Sequence, residues 1–197
     1  MLVGFFMLHR IATLFLAAAV IVTAQSVAAG VCGDDVGGVR VPCACGDVVV
    51  SSTRLQVGDP ITAGRCELDG LILRAATTAE SITLDLGGLA IVGSGVGHGL
   101  LIERGGSDGA VVIGGPAGKH AEIVGFSVGV NVPNPQALRR LERIHAKGNR
   151  YDGLRIRQAG AHLIDVTATD NGREGIKVLG SGGRLIGVHA EGNLGTG

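Results

Sequence analysis

Hydrophobic and polar positions alternate in short stretches along most of the chain beyond residue 80. Ile82, Leu84 and Leu86 are separated by polar residues, and a glycine pair follows them. An apolar residue at every second position predicts a β-strand with one buried face, and paired glycines predict tight corners. A helical pattern is limited to residues 135–141, which are too few to change this picture. The pattern therefore predicts an all-β chain of short strands.

The last part of the chain repeats itself every 22 residues. Such a fixed period indicates stacked repeats, each of which buries its apolar face against its neighbours. The prediction is a right-handed single-stranded parallel β-helix, a solenoid with about 22 residues per turn, and its asparagines are expected to stack as an internal hydrogen-bonded ladder. The repeating columns are Asn149, Asn171 and Asn193; Leu141, Leu163 and Leu185; Ile144, Val166 and Val188; and Gly153, Gly175 and Gly197.

Residues 1–29 have the features of a cleaved signal peptide. The segment from Ile11 to Val22 is apolar, and Val27-Ala28-Ala29 supplies the small residues that precede a cleavage site. The apolar segment is short for a membrane span, which takes roughly 20 residues. An uncleaved anchor is the alternative. We therefore expect a secreted, periplasmic or cell-surface protein that touches a membrane only through an uncleaved signal.

All four cysteines lie between residues 30 and 80, at Cys32, Cys43, Cys45 and Cys66. An even number in an exported chain indicates two disulfides. Of the three pairings we favour Cys45–Cys66, with Cys32–Cys43 as its weaker companion. A zinc site is less favoured because Cys43-Ala-Cys45 lacks the usual two-residue spacer and no histidine lies nearby. We expect no metal.

These patterns divide the chain into three parts. We expect the signal peptide to be followed by a disulfide-bonded N-terminal cap and first coil at residues 30–80, and then by β-helix repeats at residues 81–197. We also expect these repeats to be truncated at the C-terminus. The open last turn is expected to allow end-to-end self-association, since an unpaired strand edge is a template for another chain. Basic and acidic residues number 17 each, so we expect no nucleic acid as a partner.

Several motifs resemble those of the right-handed parallel β-helix, or pectin-lyase-like, superfamily of exported bacterial proteins. The resemblance covers about residues 45–197 and implies the fold more specifically than the activity, because members include pectate lyases, polygalacturonases, uronan epimerases and proteins of no known activity. The motifs are Cys45-Gly46-Asp47-Val48, Ser52-Thr53-Arg54-Leu55, Cys66 with Gly70-Leu71-Ile72-Leu73, Ile82 to Gly88, and the turns of form Asn-x-x-x-Gly-[Leu/Ile]-x-[Ile/Val].

The candidate binding residues are Arg155 and Lys177, with Asp152 and Glu174 three residues before them. The repeat predicts that the two cations lie side by side on the outer face. The simpler interpretation is a solvated, charge-balanced surface, and the functional one is a subsite for carboxylates of an acidic polysaccharide. Lyases of the resembled superfamily abstract a proton next to a uronate with Arg or Lys, and carboxylates hold a metal. We therefore expect no cofactor, and calcium only if the protein is a lyase.

No motif identifies catalytic residues. We expect a non-catalytic surface, scaffold or binding module, and the alternative is a polysaccharide lyase or epimerase acting on uronate-rich glycans. Beyond residue 29 the only aromatic residues are Phe126 and Tyr151, which leaves few rings for sugar stacking. Arg143 and Asp165, one period apart, are expected to form a surface ion pair.

Overall fold

The computed structural model describes residues 29–76 and 81–195, and nearly all of the predicted signal peptide lies outside them. Within the described residues the chain is all-β, with one short 3₁₀ turn at Pro60–Thr62. The strands are β1 (Val31–Val36), β2 (Val39–Val41), β3 (Asp47–Val49), β4 (Thr53–Arg54), β5 (Arg65–Cys66), β6 (Leu71–Arg74), β7 (Thr83–Asp85), β8 (Ala90–Gly93), β9 (His98–Arg104), β10 (Ala110–Ile113), β11 (Ala121–Val124), β12 (Val128–Val132), β13 (Leu138–Lys147), β14 (Leu154–Ile156), β15 (His162–Thr169), β16 (Ile176–Val178) and β17 (Arg184–Glu191).

The strands form two sheets in which neighbours are almost all parallel. The first has the order β16-β14-β12-β9-β6-β3-β1-β2, and its β1–β2 pair is antiparallel. The second follows the path β4-β7-β10-β13-β11-β8-β5, with β15 beside β13 and β17 beside β15. The ten-residue β13 pairs with β10 along its first half and with β11 along its second half. Its start at Leu138 places strand where the sequence pattern of residues 135–141 is helical.

The predicted right-handed single-stranded parallel β-helix, with about 22 residues per turn, is wrong. The chain builds two sheets, one of them curled and branched at β13. Paired residues are 24 positions apart between β3 and β6, 29 between β6 and β9, and 30 between β9 and β12. The 22-residue spacing is limited to the last strands, such as β13 with β15. The prediction failed because alternation and period locate strands, and neither shows that the strands form two sheets with a branch at β13.

Three strands of the second sheet bend at equivalent positions. Arg143 in β13, Asp165 in β15 and Gly187 in β17 have φ angles of 53°, 54° and 61°. These left-handed values are unusual for Arg and Asp, and they interrupt the regular alternation of side chains. The bend lets one strand run past both β10 and β11, which residues 114–120 separate from each other.

One hydrophobic core contains inward side chains from both sheets. Because aliphatic residues supply almost all of it, neighbouring strands can lie close together with few bulky rings between them. Its fully buried members include Leu71, Leu100, Val130 and Leu154 from the first sheet, Leu84, Val112 and Leu141 from the second, and Phe126.

The last strand, β17, leaves apolar side chains uncovered. Leu141 and Leu163 are buried, whereas Leu185, which pairs in register with Leu163, is 56% exposed. Among the described strands β17 pairs only with β15. The expected end-to-end self-association would use this strand, and it stays a prediction.

Two disulfides, Cys32–Cys43 and Cys45–Cys66, confirm the expected cross-linking near the N-terminus. They indicate an oxidising, extracellular-type environment, since such bonds do not persist in a reducing cytosol. Across residues 29–76 and 81–195, no helix is long and apolar enough to cross a membrane.

Candidate functional site

The three asparagines of the 22-residue register form one hydrogen-bonded column. The Asn149 side-chain amide donates to Asn171 Oδ1 at 2.9 Å, and the Asn171 amide donates to Asn193 Oδ1 at 2.8 Å. The backbone N–H groups of Asn149 and Asn171 donate to the same two oxygens. Asn149 and Asn171 are buried, so each amide is satisfied inside the fold rather than turned towards a ligand.

A glycine column lies against the asparagine column and explains why the register contains both. A Cβ added at Gly153 would lie 2.5 Å from the Gly175 carbonyl oxygen and 2.8 Å from Asn171 Nδ2. Real Cβ atoms almost never come so close to other atoms, so glycine is the residue that fits. The glycine column therefore allows the backbone to pack closely at the residues immediately before β14 and β16.

The four residues predicted to bind a ligand are brought together beside this column. β14 and β16 pair so that Arg155 faces Lys177 on neighbouring strands. Arg155 donates through Nε to Asp152 Oδ2 at 2.6 Å, and its Nη2 is also 2.6 Å from that oxygen. Lys177 Nζ donates to Glu174 Oε1 at 2.6 Å. Each cation is thus paired with the acid three residues before it.

The two carboxylates of this cluster differ in their surroundings. The pKa of Glu174 is lowered to about 2, chiefly by the hydrogen bond from Lys177 and then by its contact with Asp152. Asp152 is fully buried, and its Oδ1 has no hydrogen-bond partner. Glu174 also has a second cationic neighbour, because Arg173 Nε lies 3.5 Å from Glu174 Oε2.

This arrangement is suited to internal charge balance. A uronate lyase needs a basic side chain free to reach the sugar and carboxylates open to a metal. Here Asp152 is inaccessible, and both Arg155 and Lys177 already donate to carboxylates of the protein. Within residues 29–76 and 81–195, no three His, Cys, Asp or Glu side chains lie close enough together to hold a metal ion.

Aromatic stacking surfaces are scarce in the described part of the chain. Phe126 is fully buried. Tyr151 is 39% exposed, but the Arg150 guanidinium lies 5.4 Å from its ring centroid and covers one face. Sugar binding by ring stacking would therefore depend on the other face of a single residue.

A second group of charged side chains, which the sequence reasoning missed, lies on the second sheet. We call Arg139, Arg140, His162 and Arg184 the basic row. A surface cavity of about 250 Å³ is lined by Val111, Arg139, Arg140 and His162. The 22-residue register does align Arg140, His162 and Arg184 in the sequence. The helical pattern of residues 135–141 does not predict a strand at Arg140, so the sequence alone gives this alignment no structural meaning.

No protein family, curated protein or solved structure matches this chain. The resemblance to the pectin-lyase-like superfamily is therefore corrected on two grounds: no comparison supports it, and the strands form two sheets in place of a uniform β-helix. Short motifs with Gly, Asn and alternating aliphatic residues are shared by many parallel β-structures, which is why they suggested a family that the whole chain does not match.

Proposed function

We propose that this chain is a non-catalytic, exported scaffold or binding module. The observation that carries the proposal is the closed cluster of Asp152, Arg155, Glu174 and Lys177. These are the residues that the sequence nominated for chemistry, and their charges are paired with one another at 2.6 Å. Ion pairs of this kind balance charge within the fold, and each cation already has a carboxylate of the protein as its partner.

The environment proposed for the module is outside the cytoplasm, as a secreted, periplasmic or cell-surface protein. The two disulfides support this placement. The apolar segment at the start of the sequence gives a route of export, although it lies outside the described residues.

The proposal is tested by looking for chemistry on uronates. The purified protein, with both disulfides formed, is incubated with pectate and alginate in deuterated water, with and without calcium. A lyase leaves a double bond conjugated to the carboxylate, which absorbs in the ultraviolet, and an epimerase exchanges the proton next to the carboxylate for deuterium. We expect neither change above a protein-free control.

A positive result has a matched control in the chain itself. Lys177→Gln removes the more exposed of the two paired cations and leaves the buried Arg155–Asp152 pair intact. Product formation or deuterium exchange by the wild-type protein that disappears in Lys177→Gln would overturn the non-catalytic proposal. Product that persists in the variant would overturn it as well, and would place the chemistry elsewhere in the chain.

A further inference from the structure

The basic row places basic side chains on neighbouring strands. Arg140 in β13 pairs in register with His162 in β15, which pairs in register with Arg184 in β17. Neighbouring strands lie about 4.8 Å apart, so Arg140 and Arg184 are separated by roughly 10 Å along one line. The two arginines therefore lie on either side of one histidine, and no acidic side chain stands between them in this column.

A β-bulge adds a third arginine to the row. Ala110 pairs with Leu138 and Val111 with Arg140, so Arg139 is the extra residue on β13. Leu138 and Leu141 are both buried, and the two arginines between them both face outward. Bulges commonly redirect side chains in this way at functional surfaces.

A buried glutamine holds the bulge in place. Gln158 is only 4% exposed, and its Oε1 accepts the Leu138 N–H at 2.8 Å while its Nε2 donates to the Leu138 carbonyl oxygen. Both backbone groups before the bulge are thus satisfied by one side chain from the segment after β14. Arg139 and Arg140 are presented from a fixed backbone rather than from a mobile loop.

The charges of the basic row are only weakly neutralised. Among the residues that the structure describes, Arg139 and Arg184 form no ion pair. The buried Nε of Arg140 has no hydrogen-bond partner and lies 3.6 Å from Glu142 Oε2. Glu142 itself is bound by Arg143 at 2.7 Å. On the first sheet, by contrast, Arg155 and Lys177 are also stacked on neighbouring strands, and each has a carboxylate at 2.6 Å.

We propose that the basic row is a binding subsite for an extended anionic polysaccharide that carries carboxylate or sulfate groups. Guanidinium groups match such oxyanions with paired hydrogen bonds, and the 250 Å³ cavity lined by Arg139, Arg140 and His162 gives one group a place to sit. A line of charges about 10 Å long suits a chain better than a single ion. The lack of an aromatic side chain in the row disfavours a single-stranded nucleic acid, whose bases stack on aromatic side chains.

This inference rests on the proposed function, because it names the ligand of a non-catalytic module. Isothermal titration calorimetry with dextran sulfate and with polygalacturonate distinguishes sulfate from carboxylate, and neutral dextran controls for binding to the sugar backbone. The test variant is Arg139→Gln/Arg140→Gln/Arg184→Gln. The matched control is Arg65→Gln. It removes an exposed arginine from β5, the edge strand that two strands separate from β13 in the second sheet.

We expect the wild-type protein to bind at least one charged chain and not neutral dextran, with affinity that falls as salt is added. The affinity of the triple variant should be lower than that of the wild type by roughly tenfold or more, and the affinity of Arg65→Gln should stay within about twofold of wild type. The triple variant should also fold, because the replaced side chains are exposed or half-buried and none of them is part of the core. Gln158→Ala keeps every charge but frees the bulge, so it should weaken binding several-fold.

Equal affinity in the wild type and a folded triple variant would overturn the subsite, and so would the absence of binding to both charged chains. Tighter binding of single-stranded DNA than of either polysaccharide would assign the row to a different ligand and overturn the proposal as stated. None of these outcomes affects the non-catalytic function, which fails only if the uronate assay shows product or exchange.

Discussion

At the scale of single residues, the asparagine column shows how a repeated polar side chain can stabilise an aliphatic core. Asn171 accepts hydrogen bonds from the backbone and side chain of Asn149, and it donates to Asn193 Oδ1 and to the Ala146 carbonyl oxygen. Its amide group therefore has partners in both the preceding and the following turn. A buried amide satisfied in this way contributes to stability and fixes strand register at once.

Asn171→Ala should therefore be costly. The change leaves the buried N–H and Nδ2 donors of Asn149 without their acceptor, which we expect to lower the free energy of unfolding by about 2–3 kcal/mol. Asn193→Ala is the comparison, because Asn193 is partly exposed and water can replace its lost contacts; about 1 kcal/mol is expected. Urea unfolding of both variants measures the difference. Equal losses would show that the column does not act through buried hydrogen bonds.

The surface ion pair expected between Arg143 and Asp165 is wrong, and the backbone explains why. Arg143 donates to the Gly115 carbonyl oxygen and to Glu142, and Asp165 lies 3.1 Å from His120 Nε2. Both residues occupy the left-handed bends of their strands. The prediction assumed regular alternation, and at a bend the alternation no longer sets the direction of a side chain.

At the scale of elements, strand content was predictable from the sequence and sheet organisation was not. Alternation around Ile82 to Leu86 identified β7, and the 22-residue register identified the partners within β13, β15 and β17. The earlier strands are joined by insertions of different lengths, such as residues 114–120, which erase the period before β13. Pairing there depends on which strands meet in space, and the alternation of apolar residues within one strand does not identify its partner.

The basic row was missed at this same scale. A β-bulge at Arg139 and the side-chain support from Gln158 join segments 20 residues apart. Neither feature follows from local pattern, because the run of residues 135–141 has both a helical and a strand interpretation. The 22-residue spacing of Arg140, His162 and Arg184 is present in the sequence. Only the pairing of β13, β15 and β17 shows that these side chains are neighbours.

The two disulfides should differ in their effect on stability because they join different elements. Cys32–Cys43 links β1 to a position two residues after β2, within the first sheet. Cys45–Cys66 links a position two residues before β3 of that sheet to β5 at the edge of the second sheet. Because β5 has only two residues, it has few other bonds to hold it. We expect Cys45→Ser/Cys66→Ser to lower the free energy of unfolding by about 2–4 kcal/mol and Cys32→Ser/Cys43→Ser by less.

Urea unfolding of both double variants, beside the wild type with its disulfides intact, gives this comparison. The shorter loop closed by Cys32–Cys43, with a separation of 11 residues against 21, points in the same direction. A larger loss from the Cys32/Cys43 variant would contradict the view that the second bridge holds the two sheets together.

At the scale of the whole molecule, the ionisable groups with shifted pKa values near neutral or acidic pH all favour the same response to acid. Burial lowers the pKa of His145 below its usual 6.5, and the hydrogen bond with His98 lowers the pKa of Asp69. The pKa of Glu174 is lowered from 4.5 to about 2 by Lys177 and Asp152. A lowered pKa stabilises the folded state above the unfolded-state pKa, and the contribution is lost as pH falls through the folded-state pKa.

We therefore expect the free energy of unfolding to be highest near neutral pH and to fall in two stages on acidification. The first begins below about pH 6.5, where His145 binds a proton more readily in the unfolded chain, and the second runs from about pH 4.5 to 2, where the carboxylates do so. Glu174→Gln keeps the side-chain size but cannot titrate, so its second stage should be shallower than that of the wild type. Urea unfolding at intervals from pH 7 to 2.5 tests this. If the free energy of unfolding falls equally with pH in both proteins, the Glu174–Lys177 pair does not contribute to the acid sensitivity of the fold.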